Sequence, residues 1–229
     1  RGYVPMPVLL RDEGPAVLAV GAELKGVVCL VKGRSAFLSQ HLGDLDNELA
    51  WEFFEEATAH LRRVMDIEPE SVVHDLHPDY VSTRYAKECG LPAVGVQHHH
   101  AHIAALLAEH GEAGPVLGVA LDGTGYGTDG TIWGGELLLA DTCDYRRVGH
   151  LSAMPLPGGH AAIRQPWRTA VAYLCSAFGE DWRALDIPFI RNIPPERSEL
   201  ISQMVVNNVN CIRTSSAGRL FDAVSSLLG

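Results

Sequence analysis

Apolar residues recur along this chain with two periods, about two residues in some stretches and about three and a half in others, and their alternation predicts an α/β fold. Three short β-patterned runs, 16–20, 26–31 and 35–39, are punctuated by Gly21, Gly26 and Gly33 and predict an antiparallel meander. From Asp46 onward, Leu49, Phe53, Ala57, Leu61 and Val64/Met65 fall on one face of a long amphipathic helix, with Asp44 or Asp46 as its cap. Strand and helix patterns then alternate: strand 71–74, helix 79–88, strand 93–96, helix 98–110. A second group of strands follows at 116–122, 131–139 and 147–151. Helical runs close the chain at 161–177, interrupted by Pro166, at 196–206 after Pro194-Pro195, and up to Leu228 behind a Ser215 or Ser216 cap. Residues 1–15, with Pro5, Pro7, Gly14 and Pro15, read as a linker or the tail of a preceding domain.

The order repeats itself. Val116-Leu-Gly-Val-Ala-Leu-Asp122 echoes Val17-Leu-Ala-Val-Gly-Ala-Glu23 at an offset of 99 residues, and in both copies an acidic residue is followed by a glycine-bearing turn and a second strand. Self-similarity of this kind marks duplication. The chain therefore reads as two related α/β lobes, 14–112 and 113–229, behind a segment 1–13. The second lobe shows the meander and some helices but no counterpart of the first lobe's closing strands, so the expectation is that it is incomplete and continues past Gly229. The absence of an initiator Met at Arg1 gives the same expectation of a piece of something longer.

With 229 residues, 47% of them hydrophobic, the chain can bury a substantial core. Its formal charge of −10 opposes non-specific binding to a phosphate backbone, so nucleic acid is not an expected partner. Cys29, Cys89, Cys143, Cys175 and Cys211 are odd in number and never spaced as C-x-x-C, which argues against a disulfide framework and fits a reducing cytoplasm. No apolar run reaches the length of a membrane span.

The chemistry concentrates at His98-His99-His100-Ala101-His102, where a strand gives way to a helix. Positions i and i+4 of a helix point the same way, so His98 and His102 can grip one metal ion while His99 and His100 point elsewhere. The alternative is a polar helix start facing water, or core histidines satisfied by hydrogen bonds. Asp122, at the end of an apolar strand, would complete a two-histidine, one-carboxylate set with open positions for water or substrate. Its alternative is a turn residue before Gly123. The stretch from Asp122 to Gly130 offers backbone amides and hydroxyls at Gly123, Thr124, Gly125 and Gly127 to a phosphate, unless it is only a flexible hairpin tip. Glu23 and Lys25 form the matching turn of the first lobe, where a lysine can serve as a point charge for phosphate or lie on a plain surface hairpin. The polar cluster His74-Asp75-Leu76-His77-Pro78-Asp79-Tyr80 lies past a strand, with Asp79 near a helix start. Arg164 and Arg168 can face an acidic ligand or form a solvated face. No Ser-His-Asp or Cys-His pairing is legible, so the chain brings no nucleophile of its own.

Taken together, Gly21-Ala-Glu-Leu-Lys25, Gln40-His-Leu-Gly-Asp-Leu45, His74 to Tyr80 with Ser82-Thr83, Gln97-His-His-His-Ala-His102, Leu121-Asp-Gly-Thr-Gly-Tyr-Gly127, Trp133-Gly-Gly-Glu136 and Thr214-Ser-Ser-Ala-Gly-Arg-Leu-Phe-Asp222 resemble the Kae1-like portion of the HypF family of hydrogenase maturation carbamoyltransferases. Arg1 to Pro5 resembles the end of that family's YrdC-like domain. The resemblance implies an actin-like ATPase fold (ASKHA, ribonuclease H-like) of duplicated lobes. It also implies transfer of a carbamoyl group from carbamoyl adenylate, made elsewhere in the full enzyme from carbamoyl phosphate and ATP, to the C-terminal cysteine thiol of HypE. That group becomes cyanide on the iron of nickel-iron hydrogenases. By the same likeness His98, His102 and Asp122 hold zinc or iron, and the partners are HypE and the rest of the HypF chain. The family pattern has a further aspartate ligand and an adenosine-binding glycine segment after the point where this chain stops, so the fragment alone is expected to bind metal and nucleotide weakly and to be inactive. Rival readings are a tRNA threonylcarbamoyl transferase-like enzyme, a kinase or phosphohydrolase on the same fold, and a non-catalytic metal- or partner-binding module.

Overall fold

The computed structural model describes residues 6–229, so the Arg1 to Pro5 segment lies outside the described residues. Two long strands open the first unit where three short ones were expected. β1 (Val8–Ala19) pairs antiparallel with β2 (Cys29–Leu38), with Val17 opposite Val31 and irregular register around Gly14. Gly33 sits opposite Gly14 with φ of 60°, a left-handed conformation that a glycine adopts without penalty. A bulge at these glycines lets pairing continue past them, so the runs 26–31 and 35–39 join into one strand. For the same reason residues from Val8 onward pair in the sheet.

α1 (Glu48–Met65) starts at Asn47, whose side chain accepts from the Ala50 amide; Asp44 and Asp46, the expected caps, bond to the Lys25 amide and the Asn47 side chain instead. Its buried stripe is Phe54, Ala57, Thr58 and Leu61, whereas Leu49, at 76% exposure, Phe53 and Val64 face outward. The expected face is thus rotated by about half a residue, keeping Ala57 and Leu61 and exchanging Phe53 for Phe54. Trp51 stacks on Phe54 with centroids 5.3 Å apart, and both meet the edge of Tyr85, so the aromatic cluster sets which face turns inward.

β3 (Ser71–Asp75), α2 (Val81–Glu88), β4 (Ala93–Val96) and α3 (His98–His110) follow, close to the expected ranges. The sheet runs β2-β1-β3-β4, with β1, β3 and β4 mutually parallel over a core of Leu18, Val20, Leu30, Phe54 and Val72. Parallel pairing of Asp75 with Val96 puts the C-terminal ends of β3 and β4 side by side. Strand ends of this kind are where α/β folds hold ligands.

The second unit is built on β5 (Val116–Tyr126), β6 (Ile132–Ala140), β7 (Tyr145–His150), β8 (Met154–Pro157) and, after the helices, β9 (Cys211–Thr214). Its order is β5-β6-β9-β8 with β7 also on β6. The helices are α4 (His160–Arg164), α5 (Pro166–Phe178), α6 (Pro188–Asn192), α7 (Pro195–Val206) and α8 (Ala217–Leu228), with a 3-10 turn at Gly179–Ala184. Val171, Leu174, Trp182 and Ile201 form one core cluster. Strands β8 and β9 were not expected. Each has four residues, and β8 carries Pro155 and Pro157, which a strand tolerates at a sheet edge such as this one.

The first unit takes residues up to Val116 with Ala140–Tyr145, and the second takes Leu117–Leu139 with Arg146–Gly229. The division falls at the start of β5. No helix among the described residues is long and apolar enough to cross a membrane.

Candidate metal centre

In the first unit, His98 opens α3 directly after β4. Gln97 caps the helix by accepting from the His100 amide, which fixes the direction in which the first turn projects. His98 Nδ1 lies 2.7 Å from Asp75 Oδ2 at the end of β3. An ionised carboxylate can only accept, so Nδ1 carries the proton and Nε2 presents its lone pair. One turn on, His102 Nε2 lies 3.3 Å from His98 Nε2. Two nitrogens bound tetrahedrally to one cation at about 2.0–2.1 Å stand about 3.3–3.4 Å apart, so the pair has the spacing a metal requires. His99 and His100 point elsewhere, as expected from helical periodicity: both are buried, His99 against the Gln97 amide and His100 with Nε2 2.9 Å from the Asp141 carbonyl.

The other first-unit candidates are engaged locally. Glu23 Oε2 accepts from the Val81 amide at 2.8 Å, supplying the α2 N-terminus with a carboxylate where Tyr80 offers no side-chain cap. Lys25 has φ of 54° and its amide donates to Asp44, which pins the turn. Asp79 precedes α2, and its amide donates to His77, whose ring stacks on Tyr80 at 4.1 Å.

In the second unit, Asp122, Gly123, Thr124 and Gly125 lie within β5, which continues to Tyr126; the hairpin turn itself is Gly127 to Gly130. They are strand residues and not the loop the glycines suggested. The reason is a close backbone approach. A Cβ on Gly218 would stand 2.7 Å from Gly123 Cα, and one on Gly134 would stand 2.6 Å from the Asp122 carbonyl oxygen. Ser216 sits in the same contact. Its hydroxyl donates toward the Gly123 and Asp122 carbonyls at 2.7 and 3.0 Å and accepts from the Arg219 amide, capping α8. Ser216 is thus the expected helix cap, and together with Gly134 and Gly218 it also holds the backbone that carries Asp122, a role that the sequence did not reveal. Arg164 and Arg168 fall on separate helices, broken at Pro166; Arg164 is exposed, and Arg168 binds Gln165 and lies over Trp167.

Beneath this contact lies a buried charge. Glu136 is 0% exposed and accepts from the Gly134 and Gly135 amides, the Ser215 hydroxyl and Arg147 Nε, the last at 2.6 Å. Burial alone would raise its pKa, but these hydrogen bonds outweigh it and hold the carboxyl below the ordinary value. Arg147 also reaches Asp129 and lies 4.1 Å over Trp133, whose indole donates to Asp129. Trp133-Gly-Gly-Glu136 thus locks the β5–β6 hairpin.

Three of the five thiols, Cys29, Cys175 and Cys211, are not activated. Burial pushes Cys29 up to about 11 and raises Cys175 and Cys211 as well, which keeps them protonated near neutrality. No thiolate nucleophile is built by those three.

Residues 12–109 match the HypF Kae1-like domain, and residues 118–229 match the second subdomain of the carbamoyltransferase Kae1-like domain. The chain is 50% identical to carbamoyltransferase HypF2 of Cupriavidus necator, with all of this chain and 28% of the relative covered. Against carbamoyltransferase HypF of Rhizobium leguminosarum bv. viciae it is 46% identical over its full length and 30% of the relative. The crystal structure of full-length HypF in the phosphate- and nucleotide-bound form superposes with a TM-score of 0.93 at 42% identity, covering all of this chain and 36% of that one. The chain thus spans about a third of the length of these relatives. A Kae1-like, actin-like ATPase domain is the part they share with it, and the chain belongs to the HypF carbamoyltransferase family.

Proposed function

We propose that this chain is the metal-holding portion of a carbamoyltransferase acting in hydrogenase maturation, and that His98 and His102 through Nε2 and Asp122 through its carboxylate are its ligands for zinc or iron. The observation that carries this reading is the 3.3 Å separation of the two Nε2 atoms, with the His98 lone pair fixed outward by Asp75. Bound there, a divalent cation supplies a Lewis acid for a carbonyl or phosphoryl oxygen. The reaction is transfer from carbamoyl adenylate to the C-terminal cysteine of HypE. A carbon–sulfur bond forms, the carbon–oxygen bond to the AMP phosphate breaks, AMP leaves with its charge, and the thiol proton is released.

This chain's own residues bind and orient. Ser216, Gly134 and Gly218 fix the Asp122 backbone, so its carboxylate is held from a rigid strand. Gly123, Thr124, Gly125 and Gly127 are proposed to contact the phosphates of ATP or carbamoyl adenylate, with Lys25 as a point charge and Glu23 shaping its turn. A nucleotide- and phosphate-bound relative supports that assignment. The raised thiols fit a nucleophile supplied by the partner, and free cysteines fit a cytoplasmic setting.

The test places His98→Ala or His102→Ala in the full-length protein and follows carbamoylation of HypE by mass spectrometry with carbamoyl phosphate and ATP. Loss of both bound metal and the carbamoylated product is expected. Full carbamoylation by a variant that binds no metal would overturn the reading.

A further inference from the structure

We infer that Asp75 is a positioning residue for the metal centre, fixing the tautomer and ring orientation of His98 so that Nε2 faces His102. The inference rests on the proposed metal reading, but its own evidence is separate.

Parallel pairing of β3 and β4 sets Asp75 beside Val96, two residues before His98, so a residue distant in sequence arrives at the start of α3. The carboxylate, 5% exposed, divides its oxygens. Oδ1 accepts from the His77 amide at 2.8 Å, which orients the carboxyl plane, and Oδ2 meets His98 Nδ1 at 2.7 Å. The backbone of Asp75 is anchored without its side chain, because its carbonyl receives the Thr83 hydroxyl and the His74 ring and its strand is paired to β4. Changing the carboxylate can therefore alter His98 without dismantling the strand end. Carboxylates placed behind a ligating imidazole fix its tautomer and raise its basicity, and their loss costs about 10–100-fold in metal affinity.

Asparagine gives the sharper variant. With Oδ1 kept on the His77 amide, the new NH2 group faces His98 Nδ1, which must then accept. The proton moves to Nε2 and occupies the lone pair that would bind metal.

The experiment uses the 229-residue chain as wild type, Asp75→Asn and Asp75→Ala. Long-range 15N–1H NMR of the metal-free protein reads the His98 tautomer, zinc affinity is measured by chelator competition, and thermal unfolding checks the fold. The wild type should show Nδ1–H at His98. Asp75→Asn should show Nε2–H and bind zinc about 10–100-fold more weakly, with its unfolding transition retained. Asp75→Ala should show a mixture of tautomers and a similar loss. A folded Asp75→Asn that keeps Nδ1–H and binds zinc within twofold of wild type would overturn the inference. If neither this chain nor the full-length protein binds zinc or iron, the metal reading falls, and the tautomer measurement alone decides the role of Asp75.

Discussion

Replacing Glu136 by Gln removes one negative charge from the interior of the second unit and leaves its shape almost unchanged. Breaking a buried ion pair by deleting one partner costs about 3–5 kcal/mol, because the remaining charge stays desolvated. Arg147 is not stranded altogether. It keeps Asp129 at 2.9 Å and its place over Trp133, and its side chain is 18% exposed, which places the expected loss toward the lower end, about 3 kcal/mol. For a chain of this size that is a fall of about 6–12 °C in the unfolding midpoint. Urea unfolding followed by tryptophan fluorescence measures it directly, since Trp133 lies in the network. Arg147→Met in the Glu136→Gln background should cost less than the sum of the single changes by at least about 1 kcal/mol. The pH dependence has a fixed sign. A carboxyl held below its ordinary value contributes in full above its unfolded-state pKa, about 4.3, and loses that contribution as pH falls through the folded-state value. Wild-type stability should therefore drop below about pH 4.3, and more shallowly in Glu136→Gln. A Glu136→Gln protein within about 0.5 kcal/mol of wild type, with the same acid profile, would refute the reasoning.

Gly218→Ala forces a methyl group to 2.7 Å from Gly123 Cα, a contact of backbone on backbone that neither side can relieve by rotation. It should cost about 1–3 kcal/mol in urea unfolding and weaken zinc binding by displacing Asp122; wild-type values for both would count against the assigned contact. Ser216→Ala removes the α8 cap and the bond to the Gly123 carbonyl, and should lower stability by about 1 kcal/mol or somewhat more, read in the same assay. Among the five free thiols, Cys143 is exposed and should be alkylated first at pH 8, with Cys29 last; fast labelling of Cys29 on mass mapping would contradict its burial.

Much of this was legible in the chain because the signals were local. Apolar Ala93 to Val96 followed by Gln97 and the histidines marks a strand ending in a capped helix, and β4 and α3 appear where the pattern put them. Helical spacing also separated His98 and His102 from His99 and His100. Features that depend on distant partners were not legible. Asp75 was visible only as part of a polar cluster, since its tie to His98 comes from strand pairing across 23 residues. Trp133-Gly-Gly-Glu136 stood out as a motif, but nothing in a sequence says that an acid will be fully buried. The glycines after Asp122 looked like a loop because a flexible tip and a strand pressed by another backbone have the same composition; Gly218, nearly a hundred residues later, makes the difference. On α1 the choice between Phe53 and Phe54 as the inward residue was decided by Trp51 and Tyr85, and Tyr85 lies on another element.

The most direct test of the central claim is X-ray absorption spectroscopy on the zinc-loaded chain. Two imidazoles and a carboxylate predict nitrogen and oxygen neighbours at about 2.0–2.1 Å with outer-shell scattering from two histidine rings, falling to one ring in His102→Ala. Sulfur at about 2.3 Å, or a two-histidine spectrum that survives His102→Ala, would contradict the account.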